Sequence, residues 1–130
     1  MSKLLDTWAW IEFYEGTETG EKIYQMIESE KTIYTSIITL AELSDNYHRG
    51  NFETDHSWTQ IEKFIENKSQ ILGLKKEIAR EAGKIKERQR KKFPDFGLMD
   101  AIILSTARRK GIDLISGDKH LKSQERTEKI

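Results

Sequence analysis

Short β-branched or apolar runs alternate with segments of helical period along this chain, and that alternation limits the folds open to it. Lys3–Leu5, Thr32–Ser36, Gln70–Leu72 and Ile112–Ser116 read as strands, and the last few residues allow a fifth. Between them, Thr7–Glu15, Thr19–Ser29, Ile37–Arg49, Asp55–Lys68, Lys75–Lys92 and Leu98–Lys110 read as helices. Gly16, Gly50 and Gly111 are their stops, and Phe93-Pro94 closes the long charged one. Strands alternating with helices imply a parallel sheet covered on both faces and joined by right-handed crossovers. At 130 residues the chain suits one domain, spanning 1–130, with a single sheet. Hydrophobic residues are only 36% and charged residues 34%. The apolar residues nevertheless fall in spaced runs, so a packed α/β domain is expected rather than disorder.

The same composition removes several function classes. There is no cysteine, so no disulfide framework, thiolate metal site or cysteine nucleophile is available. No apolar run approaches the ~20 residues that span a bilayer. Asp6 interrupts the N-terminus too early for a signal peptide, and a cytoplasmic location is expected. Neither a Gly-x-Gly-x-x-Gly nor a Gly-Lys-Ser/Thr loop is present, which speaks against a nucleotide-binding protein. Asp6 is followed by Thr7-Trp8, so the Asp-x-Asp nucleophile of a phosphatase is missing. The net charge of zero hides a split. Residues 1–65 carry 5 Lys and Arg against 12 Asp and Glu, and residues 66–130 carry 17 against 10. A chain polarised in this way allows an acidic site beside a basic surface.

In open parallel sheets, ligands bind beyond the carboxyl ends of the strands. Four acids could project toward that edge. Asp6 follows the first strand, Asp118 follows the strand ending at Ser116, Glu42 lies in the helix after Thr32–Ser36, and Asp100 lies in the first turn of the helix from Leu98. Each alone has an ordinary structural role. Asp6 can cap the helix from Thr7, Asp100 can complement a helix dipole, Asp118 can belong to a Gly-Asp turn, and Glu42 can be solvated. Together they repel one another unless protons or a cation neutralise them. Oxygen donors of this kind suit a hard divalent cation, and Mg²⁺ pairs a few carboxylates with substrate phosphate.

These residues carry a family resemblance. Leu4-Leu5-Asp6-Thr7, Thr35-Ser36-Ile37-Ile38-Thr39-Leu40-Ala41-Glu42-Leu43, Gly97-Leu98-Met99-Asp100-Ala101-Ile102-Ile103-Leu104-Ser105-Thr106-Ala107 and Gly111-Ile112-Asp113-Leu114-Ile115-Ser116-Gly117-Asp118-Lys119-His120-Leu121 resemble, in order and spacing, the PIN-domain ribonucleases. The likeness is greatest to the VapC-type toxins of toxin–antitoxin pairs. It implies a three-layer α/β/α fold around a central, mostly parallel sheet of four to five strands. It implies that Asp6, Glu42, Asp100 and Asp118 hold Mg²⁺ or Mn²⁺ and serve the hydrolysis of RNA. It further implies that Thr7 and Ser116 support those acids, that the protein forms a homodimer, and that a VapB-type antitoxin covers the site. Trp8 departs from the pattern, which commonly has a small polar residue there, and the chain ends soon after His120.

Lys84, Lys86, Arg88, Arg90, Lys91 and Lys92 form a basic run with one acid, Glu87. It is either an RNA-gripping surface or a solvated helix end that complements its dipole. Trp8, Trp10, Phe13 and Tyr14 read as one aromatic cluster, for core or dimer packing or as a groove for an antitoxin helix. His48, His56 and His120 lack metal-ligand spacing and read as surface residues, with a reserve for His120 because it follows Asp118. The rival to the nuclease is a PIN-like module that binds RNA or protein without cutting. The intact set of four acids favours the nuclease.

Overall fold

The computed structural model describes residues 1–118 and 127–129. In chain order the elements are β1 (Ser2–Leu5), α1 (Thr7–Glu15), α2 (Glu18–Ser29), β2 (Thr32–Ser36), α3 (Ile37–His48), α4 (Trp58–Lys68), β3 (Gln70–Leu72), α5 (Lys76–Gln89), α6 (Leu98–Lys110), β4 (Asp113–Ser116) and β5 (Thr127–Lys129). The strands form one sheet in the order β3-β2-β1-β4-β5, and every pairing is parallel. All five strands therefore end at the same edge. The fold is the expected α/β sheet with helices on both faces.

Strand alternation divides the core in two. Leu4 of β1 and Leu114 of β4 are register partners, and both point to the layer of α5 and α6. There they meet Ile78, Ala82, Ile85, Phe96 and the apolar face of α6. Leu5 and Ile115, the next pair along, point to the opposite layer. There they meet Ala9 and Trp10 of α1, Ile23 and Ile27 of α2, Leu43 of α3, and Ile61 and Ile65 of α4.

Two polar arrangements tie the layers to the sheet. Trp10 is fully buried, and its indole Nε1 donates to Thr35 Oγ1 at 3.1 Å. Thr35 Oγ1 lies 2.8 Å from Ser69 Oγ, which donates to the Ile65 carbonyl at 2.7 Å. This chain satisfies three buried polar groups and joins α1, β2 and α4. On the other face, Ser105 Oγ donates to the Ile78 carbonyl at 3.1 Å, fastening α6 to the start of α5. Arg90 Nε donates to the Phe96 carbonyl at 2.8 Å, fastening the end of α5 to the loop that enters α6. The two helices are thus antiparallel, and the basic C-terminal end of α5 lies beside the N-terminal end of α6.

Two helix boundaries differ from the periodicity by more than one residue. α4 begins at Trp58 rather than Asp55, because Ser57 forms a capping box with Gln60. α5 ends at Gln89 rather than Lys92. The amides of Lys92 and Phe93 both turn back to the Gln89 carbonyl, and Arg90 is drawn to Phe96. The aromatic cluster also divides. Trp10, Phe13 and Tyr14 pack with Phe64, whereas the Trp8 ring lies against Gly117, at the end of β4.

Candidate active site

β1 delivers Asp6 directly to the carboxyl edge of the sheet. Its backbone is extended, and its Oδ1 accepts from the Ala9 amide at 2.8 Å, so it is the N-cap of α1. Only 3% of Asp6 is exposed. A cap of this kind normally reaches solvent. This one is enclosed and also accepts a hydrogen bond from the Ser116 side chain, at the end of β4. Its carboxyl pKa is raised from 3.8 to about 7. Burial is the main cause, the bonds from Ser116 and Ala9 oppose it, and the charges of Asp118 and Asp100 add to it. Those last contributions place Asp118 and Asp100 within electrostatic reach of Asp6.

Glu42 comes from α3, which starts at the end of β2. Thr7 Oγ1, one residue after Asp6, donates to Glu42 Oε1 at 2.5 Å. The Glu42 carboxyl is raised above its ordinary value by burial, with Asp118 and Asp45 adding and the Thr7 bond opposing. Asp45 is a residue that motif reading missed. It lies one turn beyond Glu42, so the i,i+3 spacing in α3 was the available signal. It pairs with Arg49 at 3.1 Å.

Asp100 is half-buried in the first turn of α6. That helix has Gly97 as its N-cap and no side-chain cap. A Cβ on Gly97 would lie 3.9 Å from Asp100 Oδ2, so the carboxylate turns back toward the helix N-terminus, where the dipole favours negative charge. The Asp118 amide donates to Ser116 Oγ at 3.0 Å, which holds Asp118 in a tight turn after β4. Ser116 thus serves two acids: its hydroxyl bonds Asp6 and receives the amide of Asp118.

Four carboxylates therefore gather at one edge, with Asp6 coupled to Asp118 and Asp100, and Glu42 coupled to Asp118. Among the described residues, no group of three or more acidic or histidine side chains is arranged to hold a metal ion. The donor chemistry still fits a hard divalent cation. All four donors are carboxylates, and hydrated Mg²⁺ needs only one or two protein carboxylates.

The other sequence candidates lie elsewhere. Lys84 and Arg88 are exposed on α5 and pair with Glu81 at 4.0 and 3.5 Å. Arg90 is committed to the Phe96 carbonyl, and Lys92 lies over the Phe93 ring. Lys86 lies in the last turn of α5, and Lys91 and Lys92 follow in the turns after it. His48 and His56 are surface residues, with His48 Nδ1 on the Ser44 carbonyl at 2.7 Å. His120 lies outside the described residues. No described helix is long and apolar enough to cross a membrane.

A parallel sheet with helices on both faces is the architecture that the family resemblance implied. The PIN domain profile matches residues 3–126, and the chain belongs to the PIN domain family. Among solved structures, it is similar to a toxin–antitoxin complex from Klebsiella pneumoniae, with a TM-score of 0.74 at 20% identity over 97% of this chain and 95% of that one. It is similar to VapBC2 from Rickettsia felis bound to a promoter DNA fragment, with a TM-score of 0.72 at 17% identity over 100% and 98% of the two chains. It is also similar to VapC20 from Mycobacterium tuberculosis, described as a Sarcin-Ricin loop cleaving toxin. That match has a TM-score of 0.69 at 16% identity over 86% of each chain. No curated protein matches it in sequence.

Proposed function

We propose that this chain is a divalent-metal-dependent endoribonuclease of the VapC toxin type, with Asp6, Glu42, Asp100 and Asp118 as its catalytic acids. The observation that carries this reading is the enclosure of Asp6. A carboxyl that is 3% exposed, beside the charges of Asp118 and Asp100, is costly to keep charged without a cation. Structural capping of α1 alone would leave it in water.

Asp6, Asp100 and Asp118 would hold Mg²⁺ or Mn²⁺, with Glu42 completing the set. When bound, the cation supplies a water of lowered pKa and neutralises charge on the phosphate oxygens. The remaining roles fall to the chain itself. Ser116 orients the Asp6 carboxylate and fixes the turn that carries Asp118. Thr7 occupies Glu42 Oε1, which leaves Oε2 to orient the attacking water and accept its proton. The raised pKa of Glu42 makes it a stronger base than a solvated carboxylate. Lys86, Lys91 and Lys92 would meet RNA phosphates beside Asp100. Phe13, Tyr14 and Phe64, in the acidic N-terminal half, would take the apolar side chains of a VapB-type antitoxin, and the working form would be a homodimer.

The test is a mixed tRNA and rRNA pool incubated with Mn²⁺, Mg²⁺ or EDTA, with wild type beside Asp100→Asn. Cutting that needs the metal and is lost in the variant is expected. Equal cutting by Asp100→Asn would remove the assignment. No cutting by folded, inhibitor-free wild type in either metal would leave the non-catalytic binding module.

A further inference from the structure

Asp6, Thr7 and Trp8 are consecutive, and each meets a different part of the candidate site. Asp6 bonds Ser116, Thr7 bonds Glu42, and the Trp8 indole lies against Gly117, between Ser116 and Asp118. A Cβ on Gly117 would overlap Cε2, Cζ2 and Cη2 of the indole, far inside van der Waals contact. Five other glycines, at 16, 50, 73, 83 and 111, have open space at the same position. The glycines with positive φ are 16, 50 and 111, and Gly117 is not among them. The absence of a side chain at 117 thus makes room for the indole and does not serve an unusual backbone conformation. The indole itself is restrained, because Trp8 packs on the buried cluster of Leu5, Ala9 and Ile115.

We propose that Trp8 is a positioning residue for Asp118: its indole braces the Ser116–Gly117–Asp118 turn and so sets where the Asp118 carboxylate stands relative to Asp6 and Glu42. This inference rests on the metal-site reading above. Two contacts would then define the turn, the Asp118 amide on Ser116 Oγ from one side and the indole on Gly117 from the other. Losing the brace would leave the acid present but loosely aimed, and support lost around a metal ligand typically weakens binding about 10- to 100-fold.

The experiment compares wild type, Trp8→Ala, Trp8→Phe and Gly117→Ala, all confirmed as folded by melting in EDTA. Mn²⁺ binding is measured by calorimetry. Gly117 Hα shifts and Asp118 amide exchange are measured by NMR without metal. We expect ring-current-displaced Gly117 Hα signals in wild type and at least about tenfold weaker Mn²⁺ binding in Trp8→Ala, with partial recovery in Trp8→Phe. Gly117→Ala approaches the contact from the other side and is expected to lose affinity similarly, which covers failure of Trp8→Ala to fold. Unchanged Mn²⁺ affinity in the variants, or ordinary Gly117 shifts in wild type, would overturn the proposal. If wild type itself takes no Mn²⁺, the metal reading falls and the brace is judged on exchange alone. Faster Asp118 exchange in Trp8→Ala would then support it, and an equal rate would overturn it.

Discussion

Replacing Asp6 with asparagine is predicted to stabilise the metal-free protein, and to do so more as pH rises. In the fold the Asp6 carboxyl has a pKa raised to about 7, against 3.8 for its ordinary value. Between those values the folded state binds a proton that the unfolded chain has released. Stability is therefore lost as pH climbs through that window, and the loss is complete above about pH 7. Each pH step of one within the window costs about 1.4 kcal/mol, so the full cost approaches about 4 kcal/mol, of which about 3 kcal/mol develops between pH 5 and pH 8. Asparagine keeps the capping oxygen for the Ala9 amide, and it carries no charge to desolvate. For a domain of this size, about 3 kcal/mol corresponds to roughly 10 °C in melting temperature. The assay is thermal melting of both proteins in EDTA from pH 5 to pH 8, read as the difference between them. Subtraction removes the titration of groups that both share. The difference should grow by roughly 10 °C between pH 5 and pH 8. A difference that stays flat across that range would refute the argument that Asp6 is a buried carboxyl whose hydrogen bonds do not offset its desolvation.

Four further outcomes follow from particular contacts. Thr7→Val should lower RNA cleavage by about 10- to 100-fold with little change in melting, because it frees Glu42 without opening the core. Thr35→Val should cost about 1–3 kcal/mol in urea unfolding, since it strands the Trp10 N–H and takes a partner from Ser69. Gly20→Ala should cost at least about 2 kcal/mol in the same assay, because its Cβ would collide with the Glu12 carbonyl where α2 crosses α1. Lys91→Ala combined with Lys92→Ala should weaken RNA binding and flatten its log–log salt dependence by about 1 to 1.5; an unchanged slope would remove both residues from the RNA surface.

Much of the fold was legible because its signals are local. The run Thr32–Ser36 is β-branched and aromatic, and Gly16 and Gly111 stop their helices in left-handed conformations that glycine adopts without strain. Even the three-residue strand Gln70–Leu72 could be read, because turn and helix signals bracket it. Strand order was not legible, since register between distant segments depends on which faces meet in the core. The ends of α4 and α5 depend on side chains that return to the backbone, Gln60 to Ser57 and Arg90 to Phe96.

The candidate site divides in the same way. The positions of Asp6 and Asp118 just beyond strand ends, and of Glu42 and Asp100 on helices, were visible in sequence. Their couplings were not: the enclosure of Asp6, the Thr7 bond to Glu42 and the double role of Ser116 each join residues far apart in the chain. Trp8 is the plainest case. Sequence proximity grouped it with Trp10, Phe13 and Tyr14, but α1 turns its ring away from them and onto Gly117.

The most direct test of the central claim is the chemistry of the ends left when the protein cuts a labelled RNA. Attack by a water oriented at the acidic cluster, with the 3′ oxygen leaving, gives a 3′-hydroxyl and a 5′-phosphate. Those ends are predicted only with Mn²⁺ or Mg²⁺ present, and none from Asp6→Asn or Asp118→Asn. A 2′,3′-cyclic phosphate made in EDTA would mean that the ribose 2′-hydroxyl is the nucleophile and that the four acids are not the machinery.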